Sequence, residues 1–380
     1  MENSPLMAKP ISEIAPVPEK KNSALAAASN SIFLYEFGIP AALALEMDAL
    51  YESLFSSSAM LGALYDPSTL CGYVVREAGR AKTIFSYRLD GKKVVVLNEQ
   101  ITLNAGELNK FSGYLFSRFP AVRKIVFKAI QTGDGKISGF HQQVNFSNDI
   151  VLSLPDSTEK YMASLGKSTR ENIRRSLKIA KRDFPSFTFE LKERTAATEN
   201  FHRIVAFNRA RMVGKNKVPG IHEKEEGKLL ALVEQCGLVG TISLEGRVCG
   251  GVICYQVGRN YFVRVIAHDS AYNSYSLGLL SCYLSICACI ARGGREYHFL
   301  WGQEEYKFRL LGKRRDFDLL TIYRSPLSFL LDSRTIMKTA CDAALRKLKT
   351  WLLDPANQND AIPRLAHQCV HLLRTIRGRK

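Results

Sequence analysis

Hydrophobic positions along this chain switch between the helical and the extended period, and each switch marks an element. Residues 41–54 carry Leu45, Leu50 and Leu54 and predict a helix. Two β-rich runs, 83–87 and 93–97, flank Asp90-Gly91, a strong hairpin-turn signal. A helix over 105–117 and a strand over 124–128 complete a first segment of hairpin, helix and strand.

From residue 157 the pattern becomes denser. A short helix over 157–165 breaks at Gly166, and Ser168-Thr169-Arg170-Glu171 reads as a capping box, the serine hydroxyl on the third amide and the glutamate reaching back. The helix it opens carries Ile173, Leu177 and Ala180 on one stripe, with Arg170, Arg174, Lys178 and Lys181 on the next. Phe187, Phe189 and Leu191 alternate as a strand. Helices over 201–212 and 223–235 follow, the second closed by Gly237. Three strands come in succession, 238–244, 248–257 and 260–267, joined by Glu245-Gly246-Arg247 and Gly258-Arg259. An uncharged helix over 277–291 leads through Gly293-Gly294 to a strand over 297–301. A short helix over 304–311 and a last strand over 317–323 complete the run. The order β-α-α-β-β-β-α-β-α-β predicts an α/β (α+β) fold, a mixed central sheet flanked by helices. Residues 327–353 and 362–377 predict helices of a basic extension.

Length and composition bound this reading. The chain has 380 residues, 46% of them hydrophobic, enough for two domains with their own cores. About thirty leading residues carry prolines, serines and lysines without periodicity; they read as a disordered lead-in rather than a signal peptide. The nine cysteines are scattered, with Cys282, Cys287 and Cys289 in one apolar helix, which points to buried free thiols in a reducing cytoplasm. Residues 270–291 hold no charge, but only 277–291 are fully apolar, which suits a helix buried in a soluble domain.

The formal charge of +17 is uneven: eight basic residues against one acid between Lys160 and Arg182, and five with no acid between Lys307 and Arg315. Such a surface attracts polyanions, whether nucleic acid, an anionic membrane face or a phosphorylated substrate, or else serves solubility alone.

One stretch carries chemistry by position. A loop after the strand at 260–267 ends at Ser276, Leu277, Gly278 and Leu279, the start of the uncharged helix. Free backbone amides and the helix dipole attract an anion there, and Gly278 permits close approach; a plain serine-capped helix is the bland alternative. His367 and His371 stand at i, i+4 with no evident third ligand, so no metal site is expected. No phosphate-binding Gly-x-x-x-x-Gly-Lys loop, nucleophile elbow or Cys-x-x-Cys is present.

Three stretches resemble the GNAT acyltransferases, in particular the branch pairing two such units in one chain: Fem-type aminoacyl-transferases and CelD-like acetyltransferases. They are Tyr161 to Arg175, Ala267 to Gly278, and Phe299-Leu300-Trp301-Gly302-Gln303-Glu304-Glu305-Tyr306-Lys307 with Gly312 downstream. Proline usually stands in the CelD-like form where this chain has Leu277, and the loop is leaner in glycine and arginine than the GNAT norm.

The resemblance implies a reduced first unit over 32–154, a GNAT unit over 155–325 and an extension over 326–380, after a lead-in over 1–31. It implies an acyl-CoA cosubstrate, most simply acetyl-CoA and no metal, held by Val265, Ile266, Ser276, Leu277, Gly278 and Leu279. His268 or Asp269 would accept a proton, Glu305 would hold the acceptor amine and Tyr306 would protonate the leaving thiolate. His268 as a loop-bonded histidine and Tyr306 as a core residue remain open. Arg170, Arg174, Lys178, Lys307 and Arg309 would hold phosphate or acidic groups.

The acceptor would be an amine or hydroxyl of a small molecule, sugar or lipid precursor in envelope or exopolysaccharide metabolism. The location would be cytoplasmic, with the anionic inner-membrane surface a possible partner. Two rivals remain: a Fem-like transferase taking its acyl group from charged tRNA, and a non-catalytic protein binding membrane or nucleic acid through its cationic surface.

Overall fold

A computed structural model describes residues 31–35, 39–194, 198–214, 216 and 218–353. The lead-in through residue 30, the helix expected over 362–377, and His367 and His371 lie outside the described residues.

The first half runs β1 (Ser31–Tyr35), α1 (Ala41–Tyr51), α2 (Ser58–Leu64), β2 (Cys71–Glu77), β3 (Arg80–Asp90), β4 (Lys93–Val96), β5 (Ile101–Leu103), α3 (Ala105–Arg118), β6 (Lys124–Thr132) and β7 (His141–Ser153). Two linking helices follow, α4 (Thr158–Ser164) and α5 (Lys167–Asp183). The second half runs β8 (Thr188–Glu193), α6 (Thr198–Val213), α7 (Glu223–Cys236), β9 (Gly237–Leu244), β10 (Arg247–Val257), β11 (Asn260–His268), α8 (Leu277–Ala291), β12 (Glu296–His298), α9 (Glu305–Arg309) and β13 (Lys313–Tyr323). The extension begins with α10 (Pro326–Leu331) and α11 (Ser333–Leu353).

One mixed sheet carries both halves, in the order β1-β2-β3-β4-β6-β13-β7-β12-β11-β10-β9-β8, with β5 also paired to β6. The order is symmetric about the β13–β7 pair. In each half a three-strand antiparallel meander feeds a helix and then a strand parallel to the third: β4 to β6 in the first, β11 to β12 in the second. The closing strands are exchanged, β13 lying against β6 and β7 against β12. What the first half lacks is a counterpart of α9: residues 133–140 run from β6 to β7 without a helix.

Each half of the sheet is packed on both faces. Leu280, Cys282 and Ile286 of α8 join Ile173 of α5 and Val252 of β10 on one face of the second half. Phe201, Ile204 and Val205 of α6 cover the other, where Leu54 and Ala59 of the first half join the same cluster. Cys71, Cys249, Cys254, Cys282 and Cys289 are buried free thiols and Cys341 is exposed. No helix among the described residues is long and apolar enough to cross a membrane.

Three local expectations need correction. Helix α1 buries Leu43 and Met47, whereas Leu45 is 70% exposed; residues five apart, as Leu45 and Leu50 are, point about 140° apart on a 3.6-residue helix and share no face. The capping box at Ser168 does not form, because α5 starts at Lys167 directly after Gly166 and places Ser168 inside its first turn. A true capping box stands instead at Asn104 and Glu107, opening α3. The strand after Gly293-Gly294 ends at His298, not Trp301.

Close approach of β9 and β10 seats α6 deep on the sheet. A Cβ on Gly251 would fall on the Gly240 carbonyl oxygen and 2.8 Å from Ile204 Cδ1 of α6. The substitution Gly251→Ala is therefore expected to cost roughly 1–3 kcal/mol of stability through overpacking. A urea unfolding midpoint equal to that of the parent would contradict this reading of the packing.

Candidate functional site

The parallel strands β11 and β12 stay paired for only three positions, Asn260 with Glu296, Tyr261 with Tyr297 and Phe262 with His298. Beyond them the strands part. Strand β11 continues along β10 to His268, with a register shift that leaves Arg264 without a partner between Val263 and Val265. The chain leaving β12 turns away at Leu300, whose φ of +57° lies in the left-handed region. The gap between them is a cavity of about 620 Å³, lined by both diverging chains, by Gly278 and Leu279 of α8, and by Asn208, Arg211 and Met212 of α6.

The first half closes the same place. After β4, the Gln100 N–H donates to Ala129 O at 2.6 Å, and β5 resumes parallel pairing with β6 from Ile101 opposite Ile130. Its helix N-terminus is closed as well: Asn104 Oδ1 accepts from the Glu107 N–H, the Glu107 carboxylate accepts from the Asn104 N–H, and the Ala105 N–H donates to Asp134 O.

At α8 the opposite holds. Ser276, the residue before the helix, sits at φ +54° and its side chain makes no capping bond, so the serine-capped alternative does not apply. The first amides of a helix have no carbonyl within it to serve, and those of Leu277 and Gly278 open this one beside the cavity. An ideal Cβ on Gly278 would lie 3.4 Å from His268 Nδ1, so the imidazole stands directly over that first turn. His268 Nε2 bonds Asn273 Oδ1 at 2.9 Å; with the amide oxygen accepting, Nε2 carries the proton and Nδ1 keeps its lone pair.

The expected site residues divide accordingly. Val265, Ile266, His268, Gly278, Leu279, Tyr306 and Lys307 line the cavity. The Leu277 side chain is fully buried in the core, leaving only its backbone near the helix end. Asp269 lies outside the lining: it caps the 3-10 turn Ser270–Tyr275, its carboxylate accepting from the Ala271 N–H at 3.0 Å.

Of the paired acids, both exposed, Glu304 lines the cavity and pairs with Lys307, whereas Glu305, the first residue of α9, does not line it. Arg170 is half-buried and donates to Ala163 O, while Arg174, Lys178 and Arg309 are exposed and away from the lining. Lys307 is not a free cation. It is 4% exposed, and its Nζ donates to Trp301 O (2.7 Å) and Gly302 O (3.2 Å) and pairs with Glu304 at 3.0 Å. An ammonium has three protons, and all three are engaged.

Residues not singled out in the sequence complete the wall. Arg211 continues the inward stripe of α6 that runs through Phe201, Ile204 and Asn208, and its buried Nε has no hydrogen-bond partner. A cation at the end of an apolar stripe was the available signal. Arg264, at the bulge, holds its guanidinium 5.1 Å from the Trp301 ring and 3.6 Å from Glu225. Tyr306 packs edge-on against Phe299, and burial, with the charges of Cys282 and Glu304, pushes its phenol well above the ordinary range despite Arg211. It is an O–H donor at neutral pH.

Comparison with known proteins places the cavity in context. Residues 167–308 match the family described as acetyltransferase (GNAT) domain. Among solved structures the chain is similar to FemX at a TM-score of 0.55 and 10% identity, over 75% of this chain and 97% of that one. It is also similar to L-PGS from Bacillus licheniformis (TM-score 0.47, 12% identity, 79% and 98% covered). A tandem GNAT protein from the clavulanic acid biosynthesis pathway follows (TM-score 0.41, 10% identity, 78% and 99% covered). No curated protein matches the sequence significantly.

Because Lys307 ties the chain after β12 into its turn, Lys307→Met should leave two carbonyl oxygens without donors and cost about 1–3 kcal/mol. Chemical denaturation tests this. A variant as stable as the parent would mean that the lysine is held for another purpose.

Proposed function

We propose that this chain, whose residues 167–308 match the acetyltransferase (GNAT) domain family, transfers an acyl group from a CoA thioester, most simply acetyl-CoA, to an amine or hydroxyl. The observation that supports this most is the parting of β11 from β12 beside a helix N-terminus without a side-chain cap, which among the described residues occurs in the second half alone. In this reading the amides of Leu277 and Gly278 hold the donor's pyrophosphate, with the α8 dipole behind them. Arg211, charged and without a partner at Nε, adds a cation inside the cavity. The thioester lies along β11 between Val265 and His268.

The chemistry follows from what surrounds it. An amine must lose a proton to attack, and His268 Nδ1 is an open acceptor at the cavity edge. The carbonyl oxygen gains negative charge as the carbon becomes tetrahedral, and backbone N–H groups of the parted β11 edge are the donors for it. When the C–S bond breaks, Tyr306 hydrogen-bonds the departing thiolate; its raised pKa keeps the proton on the phenol until then. We read residues 32–154 as a companion unit and 155–325 as the acyltransferase unit, the exchange of β7 and β13 holding them together. A sugar or lipid-precursor acceptor rests on the CelD-like resemblance alone.

A second reading, transfer from aminoacyl-tRNA, draws on one observation. Arg174, Arg175, Lys178 and Lys181 form an exposed basic face on α5.

Thermal shift and calorimetry with acetyl-CoA, longer acyl-CoAs and charged tRNA separate the two readings. Acetyl-CoA at 100 times its Kd should stabilise the protein by about 2.7 kcal/mol. Gly278→Val should abolish donor binding by crowding the helix end, and Arg211→Gln should weaken it about tenfold or more. Stabilisation by charged tRNA and not by any CoA thioester would replace this reading with the second.

With an acceptor in hand, Tyr306→Phe should lower kcat by about 10- to 1000-fold while leaving the donor Kd unchanged. Equal losses in binding and turnover would instead make Tyr306 a packing residue.

A further inference from the structure

A second cavity, of about 420 Å³, lies where β11 and β12 are still paired, and both halves of the chain build it. The first half supplies Glu52 and Gln100, and the second supplies Asn260, Glu296, His298 and Arg315. None of these residues lines the cavity beside α8.

Its charges cancel. Arg295 pairs with Glu52, Arg315 makes two bonds to Glu296 at 3.0 and 2.7 Å, and His298 Nδ1 bonds Asp149 at 2.7 Å. What is left open is neutral hydrogen-bonding capacity. Gln100 Oε1 and Asn260 Oδ1 are buried acceptors without partners, while His298 Nε2 faces the Glu296 carboxylate at 3.2 Å. Asn260 and His298 are themselves only 4% and 5% exposed. Buried polar atoms left without partners are costly, so two around one cavity mark a place where something else supplies them.

The imidazole is also rigid, stacked on Phe262 at 4.2 Å and 21°. Burial opposes its charge, but the hydrogen bonds and charges of Asp149 and Glu296 outweigh that and raise its pKa.

We propose that this junction cavity binds a neutral, hydroxyl-rich ligand of saccharide size. One hydroxyl donates to Gln100 Oε1 and a second, on the same ligand, donates to Asn260 Oδ1, using each open acceptor once. A charged ligand finds no free counter-ion, because every carboxylate and guanidinium around the cavity already has its partner. The volume matches a mono- or disaccharide. This inference rests on the second cavity alone and stands whether the donor is a CoA thioester or tRNA.

Saturation-transfer NMR and calorimetry test it with glucose and cellobiose against glucuronate and glucosamine, in the full chain and without any acyl donor. Saturable binding of a neutral sugar is expected, weakened about tenfold or more in Gln100→Leu and in Asn260→Leu. Gln100 is only half-buried, so its variant should fold even if the Asn260 variant does not; circular dichroism and acetyl-CoA thermal shift check each. No saturable binding by the parent protein would overturn the proposal, as would preference for a charged sugar or undiminished binding by a folded Gln100→Leu.

Discussion

Everything at the candidate site depends on two parallel strands that begin as partners and are then driven apart. Three residue pairs hold β11 to β12. After them, β11 is committed to β10 by antiparallel pairing as far as His268, and the chain leaving β12 is turned out at Leu300 in a left-handed conformation that a leucine adopts only under constraint. Lys307 supplies part of that constraint by binding the carbonyls of Trp301 and Gly302. Parting a parallel pair inside a sheet leaves unpaired backbone groups on both edges, and such groups require a partner. A donor that lies along β11 would be that partner.

The two halves show how small a change decides between a site and a structural unit. Both feed a meander into a helix and a parallel strand. In the first, β5 re-establishes the ladder that β4 began, and Glu107 brings a carboxylate to the helix amides. That carboxylate accepts from the Asn104 N–H and would repel any phosphate at this helix end. In the second, among the described residues, no strand bridges the gap and the Ser276 side chain makes no capping bond, its carbonyl serving only Leu279 and Leu280. The exchange of β7 and β13 makes the halves one sheet, and the junction cavity exists only because of it.

How legible this was can be judged from particular residues. The hairpin at Asp90-Gly91, the uncharged helix α8 and the meander from β9 to β11 were all readable, because turn chemistry and period are local properties. Gly278 and His268 were also readable, through their place after the third strand of the meander. Lys307 was misjudged: as a symbol in a row it is a cation, and only the fold shows that all three of its protons are engaged. Asp269 and Glu305 do not line the cavity. Each stands one residue from the one that lines the cavity, His268 and Glu304, and a single step along a strand end or helix start turns a side chain away.

Arg211 and the junction cavity were beyond sequence reading for a different reason. Arg211 sits more than fifty residues before α8 in the chain, and Gln100 and His298 come from opposite halves. The sequence by itself determined the elements of the second half and their order, since these follow from local propensity and periodicity; in the first half it left β2 and β7 unmarked and assigned α1 the wrong face. Which half opens, which cations remain unpaired and where a second cavity forms were decided only by tertiary structure, because pairing and burial between distant segments settle whether a polar group is satisfied or left free to bind.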